Sequence, residues 1–303
     1  MEQYKEMSDT SVIEGLFPSF TRFVQSTGLV DKAKGNLSAK IPRILGQGKS
    51  KADRLDLPPA LIERKQELAT FVFPQGYDAP DDVLEEIAAA KRDIEAVKAD
   101  LRTEEGVRRL AVGTIQRIGG EPGFSGMMDG HYFADRLILS FNKGAMEWSW
   151  SITPHYPVIS GIPPDAEYIF RAFEQARCQI RDMTLPDQVF EEKLALAWSI
   201  ARHFSDSDDV KVLDVMKMFR VAAQDDRFWQ APQKKFFMDW PEGHFVVNLI
   251  NWRMKTAEMT AAFEFVPATL HQASGKDARV FYLPMNKTGT EVRPMVYIRK
   301  KAG

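Results

Sequence analysis

The hydrophobic period of this chain changes at Gly119-Gly120, and that change constrains what can fold on either side of it. Before it, Val83, Ile87, Ala90, Ile94, Val97 and Leu101 recur at steps of 4, 3, 4, 3 and 4. This spacing lines them up on one stripe of a helix. Asp81 and Asp82 stand where a helix start favours negative charge, so a helix is predicted over 81–102, with Glu85, Glu86, Lys91, Arg92 and Lys98 on its other faces. The run is too short for a long coiled coil, yet a buried stripe needs a covering surface. A second amphipathic helix over 103–118, through Val107, Leu110, Ala111, Ile115 and Ile118, can supply part of it. Another copy of the chain is the other candidate.

After Gly120 the period becomes two. Leu137, Leu139 and Phe141 alternate with Arg136, Ile138 and Ser140; Asn142-Lys143-Gly144 signals a turn; then Met146, Trp148, Trp150 and Ile152 alternate with Glu147, Ser149 and Ser151. Period and turn chemistry agree on a β-hairpin. Helices are expected again over 165–183, 187–204, 210–223 and 241–261, and strands over 278–283 and 291–299. Ser205-Asp206-Ser207-Asp208-Asp209 reads as a loop able to cap the 210–223 helix. Upstream, 11–26 reads as an amphipathic helix interrupted by Pro18, and Pro58-Pro59 as the opening of a short helix to Ala69. The expected fold is α+β: a helical region over 1–120, then a mixed domain over 121–303 with an antiparallel hairpin, a helical middle and C-terminal strands.

Charge is distributed unevenly. Asp31 to Arg54 carries seven basic and two acidic residues, and Lys276 to Gly303 again seven and two. Two segments of +5 leave −12 for the rest, since the whole chain is −2. The first lies in a Gly-, Ser- and Lys-rich stretch, Asp31 to Leu57, that reads as a mobile loop. Such asymmetry speaks to partners rather than to fold. The candidate nucleic-acid-binding residues are Lys32, Lys34, Lys40, Arg43, Lys49, Lys51 and Arg54 in the first segment, and Arg293, Arg299, Lys300 and Lys301 in the second.

Chemistry-bearing motifs are sparse. Gly46-Gln47-Gly48-Lys49-Ser50 is similar to the end of a P-loop, but position 43 is Arg where that motif needs glycine, and Pro42 and Pro58-Pro59 interrupt the strand and helix it requires. A flexible basic loop is the better reading. No two of the five histidines stand at i, i+4. His203 with Asp206, Asp208 and Asp209 could gather around a hard cation, although a helix end followed by a cap accounts for them. No metal or cofactor site is assigned. Glu63-Arg64-Lys65 and Glu191-Glu192-Lys193 each hold the ExK half of a nuclease motif, on helices rather than a strand. Cys178, the single cysteine, excludes an internal disulfide and reads as a buried structural thiol. Phe228, Trp229, Phe236, Phe237, Trp240, Phe245 and Trp252, with Lys234, Lys235 and Arg253 among them, read as core, with Phe236, Phe237 and Trp240 inside; base stacking is the alternative.

No apolar run approaches the roughly 18 residues of a membrane helix, and the start lacks the basic-then-apolar order of a secretory signal. A cytoplasmic protein without a membrane role is expected. Three functions fit: a non-catalytic binding protein or complex subunit that contacts nucleic acid, DNA included, or another anionic partner through the two basic segments; a metal-dependent hydrolase or nuclease whose His and Asp residues meet only on folding; and a protein scaffold that associates with a partner or itself through the 83–101 stripe.

Overall fold

The computed structural model describes residues 16–49, 58–119, 125–128, 131–255, 262–274, 279–286, 289 and 291–301. Helices account for 54% of the chain and strands for 17%, and every described strand pair is antiparallel. The fold is therefore α+β, as the change of period implies. Packing divides the chain into two compact units, one of Met1–Arg117, Phe141–Trp148 and Ser160–Ala172, the other of Ile118–Ser140, Ser149–Ile159 and Phe173–Gly303.

The first unit is built on helices α1 (Pro18–Ser26), α2 (Leu29–Lys32), α3 (Asn36–Ile44), α4 (Leu61–Ala69), α5 (Asp81–Leu101) and α6 (Glu104–Ile118). The stripe on α5 is buried at Val83, Ile87, Ala90, Ile94 and Leu101. Its main cover comes from α1 and α4, where the spacing pointed to 103–118. Val83, Ile87 and Ala90 join one apolar cluster with Phe20, Val24, Ile41, Ile44 and Leu68. Phe20, Phe71 and Phe73 meet edge-on or tilted within it, the arrangement that aromatic quadrupoles favour.

The basic stretch read as a mobile loop is helical over Asn36–Ile44. Ser38 and the internal Pro42 argue against a helix locally, but complete burial of Ile41 and Ile44 outweighs those preferences. The P-loop-like glycine then has a structural role. Gly46 adopts φ +77°; its amide bonds Arg43 O at 3.1 Å, and the Gln47 amide bonds Pro42 O at 2.8 Å. That pattern is a Schellman helix end, so these amides are already satisfied by the chain. Helix α4 opens at Leu61, with the Glu63 carboxylate accepting from the Ala60 amide at 2.9 Å.

Strands β1 (Ser125–Met128), β2 (His131–Ala134), β3 (Leu137–Asn142), β4 (Glu147–Thr153) and β5 (Tyr156–Ile162) form a five-stranded sheet in chain order. The expected hairpin is β3–β4. Met146, placed in its second strand from sequence, instead takes φ +58° and belongs to the turn.

The rest of the second unit carries α7 (Ala166–Asp182), much of which it holds, then α8 (Asp187–His203), β6 (Val210–Lys211), α9 (Val212–Ala222), α10 (Asp226–Gln230) and α11 (Glu242–Lys255). It ends in β7 (Phe263–Pro267), α12 (Leu270–Ser274), β8 (Phe281–Pro284) and β9 (Val292–Lys300). Strand β9 is the spine of the terminal sheet, with β6, β7 and β8 all paired to it. The register of β7 on β9 shifts between Val266 and Pro267, where proline has no N–H to give the ladder. No helix among the described residues is long and apolar enough to cross a membrane.

Candidate anion-binding groove

The terminal sheet and the end of α11 enclose a groove of about 300 Å³. Its floor is apolar and buried: Trp252, Phe263, Leu283 and Met295 are each less than 5% exposed. Around it stand Arg253, Arg293 and Lys301, one carboxylate, Glu264, and the half-buried ring of Phe265. Phe263, Glu264 and Phe265 of β7 all border the groove, Phe263 buried, Phe265 half-buried and Glu264 exposed. Trp252 is fixed by its indole N–H, which donates to Glu191 Oε2 at 3.3 Å. The Arg253 guanidinium is anchored through Nη1 to Pro284 O at 3.1 Å. Arg293 and Lys301 lie at opposite ends of β9 and are exposed.

The acidic member is partly committed elsewhere. Glu264 lies 4.0 Å from Arg299 Nε, and the same guanidinium nitrogen is 3.0 Å from Asp209 Oδ1. Glu264 and Arg299 are direct register partners, and Asp209 precedes the β6 residue opposite Ile298. An Asp–Arg–Glu ladder thus crosses three strands. It holds Arg299 in a structural pair, while Arg253, Arg293 and Lys301 line the groove. Guanidinium forks suit phosphate or carboxylate oxygens in pairs, and an ammonium supplies a point charge. The described lining includes no His, Cys or Ser.

The structure thus brings Arg293 and Lys301 to one groove and adds Arg253, which charge counting missed because it sits within an aromatic-rich helical stretch. Lys300 is exposed at the end of β9. In the first segment Lys32 and Lys34 are exposed, as is Lys49. Lys40 and Arg43 face the buried Glu67 carboxylate at 3.9 and 3.5 Å. Lys51 and Arg54 lie outside the described residues.

The other motifs resolve into structural roles. Arg64 donates through Nε to Ile44 O at 2.8 Å, closing the C-terminus of α3, and Lys193 donates to Ala222 O at 3.1 Å, closing that of α9. Each stretch thus supplies a residue to a helix end, while Lys65 pairs with Asp93 and Glu191 accepts from Trp252. The 205–209 cluster does not cap α9, whose N-cap is Lys211 without a side-chain bond; Asp208 instead pairs with Arg202 at 2.6 Å and Asp209 with Arg299. Among the described residues no group of three or more His, Cys, Asp or Glu is placed to hold a metal ion. Cys178 is exposed rather than buried.

The histidines serve different neighbours. His131 Nδ1 and Ser140 Oγ are 2.9 Å apart as continuing partners of the β2–β3 register. His155 stacks on Tyr282 with ring centroids 3.7 Å apart. Desolvation of that ring, with the charge of His131 adding to it, holds its pKa below the ordinary value. No family description, curated protein or solved structure matches this chain.

Proposed function

We propose that this chain is a non-catalytic binding protein of the cytoplasm whose ligand is nucleic acid, held by its phosphates at the terminal-sheet groove. The observation that supports this reading is the convergence of Arg253, Arg293 and Lys301 on an aromatic-floored groove. Phosphates supply the charge such a rim complements, and neutralising each one releases condensed counterion. Binding of this kind is largely independent of sequence and weakens steeply with salt. The second basic segment is the contact; the first contributes through Lys32, Lys34 and Lys49 only where the ligand extends to them.

The test is affinity for a generic DNA duplex and a DNA single strand, measured by fluorescence anisotropy at several salt concentrations. Replacing Arg293 and Lys301 by alanine should flatten the slope of log affinity against log salt by about 1.8 on duplex and about 1.4 on single strand, because each phosphate contact adds about 0.9 and about 0.7. Both residues are exposed, so the melting temperature should hold. An unchanged slope would remove the groove as the contact. No binding even at low salt would remove nucleic acid as the ligand.

A further inference from the structure

We propose that the surface loop over 225–238 is a stacking clamp for the unpaired bases of a single-stranded nucleic acid. The proposal rests on the nucleic-acid reading above and narrows its ligand to strands with open base faces. The loop follows α9 within the second unit and ends at Trp240, which is buried. Its neck is closed by Gln224, only 1% exposed. The Gln224 side chain accepts from the Met238 amide and donates to the Met238 carbonyl, both at 2.7 Å. Arg220 and Asp239 form an ion pair just outside the neck. A loop of this length, with its ends tied and its own side chains packed inside, is an Ω-loop, a form that is frequently functional.

What the loop packs is aromatic. Phe228 stands edge-on to Trp229 at 5.7 Å and to Phe237 at 5.6 Å, so one ring holds two others in place. Those two are open to solvent, Trp229 at 48% and Phe237 at 38%. The sequence reading placed Phe237 in the core; the core portion of this aromatic run begins only at Trp240. Burying rings is favourable, so rings left open but immobilised form a prepared surface.

The occupant follows from the charges beside the rings. Arg227, Lys234 and Lys235 are exposed, and the Lys235 ammonium sits 4.6 Å from the Phe236 ring centroid. Of the nearby carboxylates, Asp225 accepts from the Phe228 amide at 3.0 Å and Asp239 is paired with Arg220. That leaves Asp225, turned to the helix start, and Asp226 against three cations, a local excess of one positive charge. Flat π faces interleaved with positive charge complement bases carried on phosphates. A duplex hides its base faces in the stack and offers phosphates and groove edges, which a flat ring cannot stack on.

Tryptophan emission reads this site directly. Trp148, Trp150, Trp240 and Trp252 are buried and Trp198 is half-buried, which leaves Trp229 as the exposed indole. Titrating the full chain with a short oligothymidylate should quench its emission in a saturable way, and the quench should be absent in Trp229→Phe. By anisotropy, Trp229→Ala should weaken oligothymidylate binding on the order of tenfold while changing duplex affinity little, with melting temperature unchanged. If salt-dependent binding persists without Trp229 quenching, the clamp is overturned and the groove reading stands. If neither probe detects binding, both fall. A quench that grows with protein concentration alone, with a rise in mass by light scattering, would overturn the clamp in favour of a second copy on the loop.

Discussion

The two basic segments carry the same net charge in sequence and meet different fates in the fold. In the first, Lys40 and Arg43 project from a helix whose other side is core, and both face Glu67, a carboxylate that is 3% exposed. In the second, Arg293 and Lys301 stand at either end of a strand and look onto a groove with aromatic walls. A count of Lys and Arg does not separate these cases. What separates them is what the fold places beside each cation, and Arg299 makes the point within the second segment, where it is drawn into the Asp209–Glu264 ladder.

The comparison breaks most visibly at Ile41, the residue that makes the first segment a structural element. It is fully buried between Lys40 and Arg43 in sequence. Ile41→Asp places an uncompensated charge in the apolar cluster and should cost on the order of 4 kcal/mol, which calorimetry would record as a collapsed or absent transition of the first unit. The alanine pair at Arg293 and Lys301 should stay within about 0.5 kcal/mol of the parent. Equal melting behaviour of Ile41→Asp and the parent would mean that 36–44 is the loose segment its composition suggests.

A smaller effect is expected at Glu67. Removing one partner of a fully buried pair costs about 3–5 kcal/mol. Here both cations keep about a third of their side-chain surface and can rehydrate, which brings the figure for Glu67→Ala down to about 1–3 kcal/mol. The informative readout is nucleic-acid affinity. If the first segment is committed to the fold, releasing Lys40 and Arg43 should leave affinity unchanged. A clear tightening would show that these cations reach the ligand once freed, and would erase the distinction between the segments.

Much of the architecture was legible because period is a direct consequence of burial. The stripe from Val83 to Leu101 and the alternation from Leu137 to Ile152 both name buried faces. Less legible was anything that depends on a distant partner. Gly46 reads as half a phosphate motif until the carbonyls of Arg43 and Pro42 are seen to accept from its own amide and that of Gln47. Asp208 and Asp209 read as a cap until Arg202 and Arg299 arrive from elsewhere in the chain. The aromatic run from Phe228 to Trp252 reads as one core, and the fold divides it at Trp240, because Gln224 turns back the backbone before the first rings are covered. Arg253 lies outside both charge-rich segments, and its only local signal was its place beside the aromatic run, which reads as core.

The finest distinction concerns what holds the second segment in place, and it is testable by pH. Strand β8 supplies Leu283 to the groove floor. Its Tyr282 is held from both sides, by the stacked ring of His155 and by the Tyr156 hydroxyl, which accepts from the Tyr282 amide at 3.0 Å. The His155 pKa is lowered by desolvation first and by the charge of His131 second. A depressed histidine pKa means that the fold prefers the neutral ring, so this contribution to stability is complete above the ordinary value near 6.5 and is lost as pH falls through the folded value. The melting temperature of the second unit should therefore dip slightly as pH falls below about 6.5. His155→Phe keeps a stackable ring without a titrating proton and should remove that dip. The first unit supplies the internal control: every described histidine lies in the second unit, so its own transition should not follow this step. A dip of equal size in His155→Phe would assign the pH dependence to other groups and leave the Tyr282 stack without a role in holding the groove.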